Sequence, residues 1–156
     1  MAKRCRYCFS ALKEGNIVCG VCKIDSAKDR NTLTREEKTV SYFCRTLHLM
    51  AFLAALGGIL GLVGSLAAIF RPIPGVPKPI YFIFVAINLV LAILFIVFGI
   101  SLARYKKWCH TGGIVLYSLA IGMNLMQMNL IGVLFGALFL YYISLPVTRK
   151  ILYGEL

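Results

Sequence analysis

Carboxylates are scarce in this chain of 156 residues, which has 17 Lys and Arg but only 6 Asp and Glu. None of the six lies between Glu37 and Glu155. Carboxylates often serve in general acid–base catalysis, and Mg²⁺ binding and most ion-coupled transport depend on them. The long gap therefore argues against an enzyme and against a solitary ion-coupled transporter, and no small-molecule substrate is indicated.

Polar residues are also too few to cover a soluble domain of this size. The chain is 60% hydrophobic, with a mean hydropathy of +0.82. Such a composition is typical of a polytopic membrane protein, because lipid replaces water around most of the surface.

The residues after the basic N-terminus are polar and rich in cysteine, so we expect no cleavable signal peptide. The first membrane helix is expected to act as the insertion signal.

Four long apolar stretches predict an all-α integral membrane protein, because a helix of about 20 residues crosses a hydrocarbon core of about 30 Å. The third stretch is diluted by Gly and Asn, and only "MQMN" separates it from the fourth. The third and fourth spans should therefore form a tight antiparallel hairpin. The predicted spans are about 46–70, 80–103, 108–125 and 130–147.

The chain divides into four parts by composition. Thr34 and Glu37 in the second part fit a capping box, which predicts the start of a helix. Two interpretations of that helix stay open: a segment lying among lipid headgroups, or a helical extension of the first span. The parts are a small ribbon (1–24), a polar connector with an amphipathic helix (25–45), the membrane domain (46–148) and a short tail (149–156).

Basic residues predict the orientation. Ten of the 17 lie in residues 1–45, and only Arg71 and Lys78 would face outward if the N-terminus is cytoplasmic. The positive-inside rule then places both termini in the cytoplasm.

Two cysteine knuckles precede the membrane part, Cys5-x2-Cys8 and Cys19-x2-Cys22, with ten residues between them. Four thiolates in this arrangement supply the tetrahedral sulfur shell that Zn²⁺ prefers, and they leave no open position for catalysis. A rubredoxin-type iron centre uses the same four sulfurs and is the less favoured alternative. Disulfides rank third, since a cytoplasmic location keeps thiols reduced.

Residues 5–22 resemble the short zinc-ribbon domain common at the N-termini of bacterial and archaeal proteins. The resemblance rests on the knuckles and on Leu12, Glu14, Gly15 and Val18 between them. It departs from the pattern at Phe9, where a Gly usually follows the first knuckle, and at Lys23 after the second knuckle. It implies a small β ribbon and a location in the prokaryotic inner membrane.

The membrane part has two looser resemblances. The stretch "FGISLARYKKWCHTGGIVLY" is similar to the turn between spans two and three of uncharacterised four-helix prokaryotic membrane proteins. The order of ribbon, interfacial helix and four spans resembles one repeat of the paraquat-inducible protein A family. That family carries two such units and works with periplasmic lipid-shuttling partners, whereas this chain has one unit with a shorter interval between knuckles.

A further group of ligand-type side chains lies at the cytoplasmic ends of spans one and three, namely Cys44, His48, Cys109 and His110. These residues can ligate a second metal or a haem if they meet at one depth. The alternative is that the cysteines are packing residues and the histidines lie at the interface.

Small residues recur at four-residue spacing, which lets two helices approach closely. They serve either packing within the bundle or docking of a foreign helix. Asn88, inside the second span, is expected to hydrogen-bond a neighbouring helix. The small residues at four-residue spacing are Ala54 with Gly58, Gly57 with Gly61, and Gly132 with Gly136.

These features favour a small accessory or scaffold subunit of a larger membrane complex, with the zinc ribbon docking onto a heteromeric partner. The alternative is a lipid-handling membrane protein that acts as a homo-oligomer and has a cavity open sideways to the bilayer. Nucleic acid is disfavoured as a partner, because topology and anionic lipid explain the basic N-terminus more simply.

Overall fold

The computed structural model describes residues 4–10, 12, 16–70 and 77–155. Beyond the N-terminal module, the described chain is helical, with a 3₁₀ turn at Arg30–Thr32 before the first long helix. The helices are α1 (Arg35–Phe70), α2 (Lys78–Ala103), α3 (Trp108–Met126), α4 (Leu130–Ser144) and α5 (Pro146–Tyr153).

Helix α1 begins at the predicted capping box. The Thr34 N–H donates to Glu37 Oε2 at 2.7 Å, and the Glu37 N–H donates to Thr34 Oγ1 at 3.2 Å. Lys28 Nζ adds an ion pair to Glu37 Oε2 at 2.7 Å. The helix then runs unbroken for 36 residues, or about 54 Å. The connector helix is thus an extension of the first span, which is the second of the two interpretations.

Three of the helices, α1, α2 and α3, are long and apolar enough to cross a membrane, which identifies a membrane protein. The predicted fourth span, 130–147, is broken: α4 and α5 meet at 62° and make a fourth crossing only if the bent pair counts as one. The break lies at Leu145, whose extended backbone (φ −62°, ψ 138°) precedes Pro146. Proline disfavours helical geometry in the residue before it. Helix α5 then continues into the segment predicted as a tail and buries Ile151 and Leu152.

Helices α1 and α2 pack as one hairpin through glycines. A Cβ on Gly58 would lie 2.6 Å from the Ala92 carbonyl oxygen, and one on Gly99 would lie 2.6 Å from the Ala51 carbonyl oxygen. Gly57, by contrast, has nothing within 4 Å of that position. The face of α1 that contains Gly58 therefore packs within the bundle, whereas the face that contains Gly57 leaves room for a side chain.

Helices α3 and α4 form the second hairpin, and the predicted tight turn is present. Asn129 caps α4 by accepting the Gly132 N–H at 3.1 Å, and its amide donates to Asn124 Oδ1 at 2.9 Å. Asn88 differs from its prediction, because its amide donates to Phe84 O of its own helix at 2.9 Å.

The two hairpins meet along α2 and α3. Over the described residues, α1 and α4 do not pack closely against each other. The bundle is consequently open along one side, between α1 and α4.

Candidate metal centre and membrane groove

The structure brings the four predicted ligands together. The sulfur atoms of Cys5, Cys8, Cys19 and Cys22 all lie within 4.8 Å of one another, and all four residues are buried. Cys8 Sγ is 3.3 Å from Cys19 Sγ, and Cys5 Sγ is 3.6 Å from Cys22 Sγ. A tetrahedral ZnS₄ site with bonds of about 2.3 Å has edges of about 3.8 Å. The cluster therefore has the size that a single metal ion requires.

The two knuckles have the same backbone arrangement. In each, the first cysteine's carbonyl accepts the N–H of the residue after the second cysteine, at 3.0 Å. In each, the first cysteine's sulfur lies near the N–H two residues on, at 3.5 Å for Cys5 and 3.4 Å for Cys19. Amide hydrogens directed at sulfur stabilise the thiolate form that binds metals.

Phe9 and Lys23, the two departures from the zinc-ribbon pattern, occupy equivalent positions. Both have left-handed backbone, with φ of 61° and 57°. Glycine adopts this conformation most easily, which explains why a Gly is usual after the first knuckle. The chain forms both knuckle turns with side chains at these positions.

The predicted β ribbon is not found among the described residues. The described residues of this region contain isolated bridges in place of strands: Val18 pairs with Asp25 in antiparallel fashion, and Arg4 is also a bridge residue. The module is therefore held by its knuckle turns and by the cysteine cluster.

Ser10 is a part of the site that the sequence did not reveal. Its hydroxyl lies 3.0 Å from Cys8 Sγ and 3.1 Å from Cys19 Sγ, so it contacts one sulfur from each knuckle. Ser10 directly follows Phe9, whose backbone is left-handed. A hydroxyl donor at this place would stabilise both thiolates once a metal is bound.

The pKa values of the cysteine thiols indicate how a bound cation would change their protonation. A hydrogen bond from Cys22 lowers the pKa of the Cys8 thiol to about 5. The same hydrogen bond and burial raise the pKa of Cys22, and burial raises that of Cys5. Four thiolates cannot coexist so closely without a positive charge, whereas a divalent cation stabilises all of them. The donor set fits zinc and also fits iron.

Replacing Ser10 with alanine should weaken metal retention without removing a ligand. Loss of such an outer partner typically costs about 10- to 100-fold in metal affinity. We expect zinc to pass from the Ser10→Ala chain to a colorimetric chelator at least about tenfold faster than from the wild type. Ser26→Ala is the matched control, because Ser26 Oγ bonds the Ile17 carbonyl and no sulfur. Equal release from both variants would contradict this role for Ser10.

The metal module caps one end of the helix bundle, called the metal end below. Tyr105, in the turn between α2 and α3, donates to the Cys8 carbonyl at 2.8 Å and lies 3.3 Å from the Cys44 carbonyl. Burial raises the pKa of Tyr105, so its hydroxyl stays protonated. The Tyr7 hydroxyl donates to the Lys28 carbonyl. The cysteine cluster and the helix ends thus share one buried core.

The second predicted cluster does not form. In the described part of the chain, the four knuckle cysteines are the one group of ligand-type side chains close enough to share a metal. Cys44 and Cys109 are buried packing residues. His48 lies against the Phe9 ring at 5.6 Å, and His110 against the Tyr153 ring at 6.1 Å.

A groove between α1 and α4 is the second candidate site. A cavity of about 470 Å³ lies at its metal end, and one of about 320 Å³ continues it toward the opposite end. The two share Leu53, Phe135 and Phe139. The wider cavity is lined by Tyr42, Arg45, Thr46, Leu49, Met50, Leu53, Phe135, Leu138, Phe139 and Tyr142.

Both cavities of the groove are lined mainly by apolar side chains. Among the described lining residues Arg45 alone is charged, and it lies at the metal end with Tyr42 and Tyr142. The deeper cavity is lined by Gly57 and by the polar Asn124 among apolar and aromatic side chains. A single charge at one end of a largely apolar groove suits an amphipathic ligand with one charged end.

No family model, curated protein or solved structure matches this chain. The zinc-ribbon and paraquat-inducible protein A resemblances therefore depend on motif and layout alone. The structure supports their coarser content, which is a cluster of four cysteines able to hold a metal ion and helices able to span a membrane.

Proposed function

We propose that this protein is a lipid-handling membrane protein that holds a lipid between its two helical hairpins. The observation that carries the proposal is the groove between α1 and α4, open along the side of the bundle. Its cavities fall within the range of roughly 300 to 1,000 Å³ that is usual for ligand sites. A lipid-handling protein requires such a lateral opening, and a closed scaffold does not.

In this proposal the N-terminal module is a structural cap of zinc-ribbon type. Four protein sulfurs close the metal's coordination shell, so the metal, which we assign as zinc, has no position for substrate. The module contacts the bundle through Tyr105 and Phe9 at the end of the groove where Arg45 lies. We place this end in the cytoplasm and the helices in a prokaryotic inner membrane, because the basic residues predict that orientation.

Docking of a partner protein is the second candidate. Ile17 and Val18 on the metal module are 59% and 51% exposed. Exposed apolar side chains on a small rigid module suit a protein interface. A chain that purifies with a stoichiometric protein partner and without groove lipid would favour this accessory-subunit function.

Filling the groove should displace the lipid. We expect Gly57→Phe to lose the roughly one phospholipid per chain that the wild type retains after mild detergent purification. A Cβ at Gly57 meets no atom within 4 Å, and Gly57 lines the deeper cavity, so a larger side chain there has room in the cavity. The measurement is phospholipid per chain, by mass spectrometry of extracted lipid.

Gly64→Phe is the matched control for this experiment. Gly64 is also in α1 and also has nothing within 4 Å of its Cβ position, but it does not line the groove cavities. Lipid retained by Gly64→Phe and lost from Gly57→Phe supports the proposal. Equal retention by both variants would mean that the lipid lies on the outer surface, and the proposed function would fail.

A further inference from the structure

Arg45 is a charged side chain on an otherwise largely apolar groove wall. It lies in α1 and lines the wider cavity with Leu49 and Leu53, one and two turns further along the same face. The position is the one where the groove reaches the metal end. A cation there needs an anion, because leaving a partly desolvated charge unpaired is unfavourable.

No described residue supplies an anion to Arg45. Over the described residues its side chain has no hydrogen bond or ion pair, and its Nε is buried without a partner. No Asp or Glu follows Glu37 until Glu155, so α2, α3, α4 and α5 offer no carboxylate. Glu36 and Glu37 lie in the first turn of α1, and Glu37 is engaged by Lys28. An anionic ligand in the groove would supply the counter-ion that the described residues do not.

Two tyrosines lie near Arg45 in the groove. Tyr42 of α1 and Tyr142 of α4 line the same cavity as Arg45. Hydroxyl and guanidinium donors together match the oxygens of a phosphate. An ammonium group would find no carboxylate here, so a zwitterionic headgroup is less well matched than an anionic one.

The length of the groove matches one acyl chain. Arg45 and Gly57 are 12 positions apart on α1, which is about 18 Å along the helix. Half of a hydrocarbon core is about 15 Å. A phosphate at Arg45 would therefore place an acyl chain along Leu49 and Leu53 as far as Gly57.

We propose that the groove binds an anionic glycerophospholipid, with its phosphate on Arg45, Tyr42 and Tyr142 and one acyl chain along α1 and α4. This inference rests on the proposed function and specifies its ligand. In this proposal Arg45 binds the negative charge of the headgroup, and the apolar wall of the groove retains the acyl chain. Each part can be tested separately.

The test compares phosphatidylglycerol with phosphatidylcholine of identical acyl chains. The full chain is titrated with each lipid in mild detergent, and bound lipid is counted by native mass spectrometry. We expect the wild type to prefer phosphatidylglycerol severalfold, because both lipids present a phosphate to Arg45 but only phosphatidylcholine also carries a cation, which Arg45 repels. Arg45→Gln should abolish this preference while still binding lipid, and Arg45→Lys should keep part of it. Arg104→Gln, which removes an exposed charge outside the groove, should leave it unchanged.

The outcomes separate this inference from the proposed function. If Arg45→Gln keeps the full preference while Gly57→Phe binds no lipid, the groove holds lipid but Arg45 does not hold the headgroup, and the inference is overturned. If Arg104→Gln lowers the preference as much as Arg45→Gln, the effect belongs to the surface charge, and the inference is again overturned. If the wild type binds neither lipid, the proposed function fails with it.

Discussion

A chain in which Cys8 and Cys22 are both replaced with serine is expected to lose its metal and to unfold its N-terminal module. The two substitutions remove one sulfur from each knuckle, and the remaining pair cannot close a tetrahedral shell. Structural zinc contributes about 10–16 kcal/mol in small peptide sites, so a module with little other core should not survive. Metal per chain, measured by plasma mass spectrometry, should fall from one to near zero.

The control for this experiment is Cys109→Ser, because Cys109 is buried at the metal end but lies outside the cluster. That variant should keep one metal per chain. Amide hydrogen exchange should show residues 16–28 exposed in the double variant while α2 and α3 stay protected. The assignment of the four cysteines as a metal centre would be refuted if the wild-type chain held no metal or if the double variant kept its metal. A red chromophore would identify iron in place of zinc.

Substituting alanine at two adjacent glycines of α1 should have opposite effects. Gly→Ala inside a helix ordinarily stabilises it by up to about 1 kcal/mol, and Gly57 has open space for the new methyl group. At Gly58 the methyl carbon would lie 2.6 Å from the Ala92 carbonyl oxygen and 2.9 Å from the Ile96 nitrogen. The two helices must separate, and such overpacking typically costs about 1–3 kcal/mol.

We therefore expect Gly58→Ala to lower the free energy of unfolding by about 2 kcal/mol and Gly57→Ala to leave it unchanged or to raise it. Unfolding in a denaturing detergent, followed by circular dichroism, measures both. Equal effects of the two substitutions would show that α1 and α2 do not pack in this register. Because both changes are Gly→Ala in one helix, intrinsic helix propensity cancels in the comparison.

Local chemistry in the sequence predicted the parts of the structure that depend on neighbouring residues. The spacing of four cysteines identified the cluster, and Thr34 with Glu37 identified the start of α1. Each of these features is set within a few residues of chain. The break before Pro146 was not predicted, because the fourth span was expected to run unbroken to residue 147.

The position of the groove and the role of Ser10 were not predicted, although the lipid-handling alternative expected a cavity open to the bilayer. An apolar helix face in a membrane protein has the same sequence pattern whether lipid or another helix covers it, so the sequence does not reveal the open side at Gly57. Ser10 contacts sulfurs from two knuckles that are far apart in the sequence, and it follows the left-handed backbone of Phe9. Whether α1 continued through the interface was also undecided, since both interpretations use the same amphipathic pattern.

The most direct test of the lipid site is the intact mass of the wild-type chain released from its own membrane under native conditions. The account predicts one chain carrying one metal ion and one phospholipid of anionic headgroup, with the lipid leaving before the metal as collision energy rises. A chain that carries the metal and no lipid at the lowest energies would contradict the lipid-handling function and leave the metal cap standing.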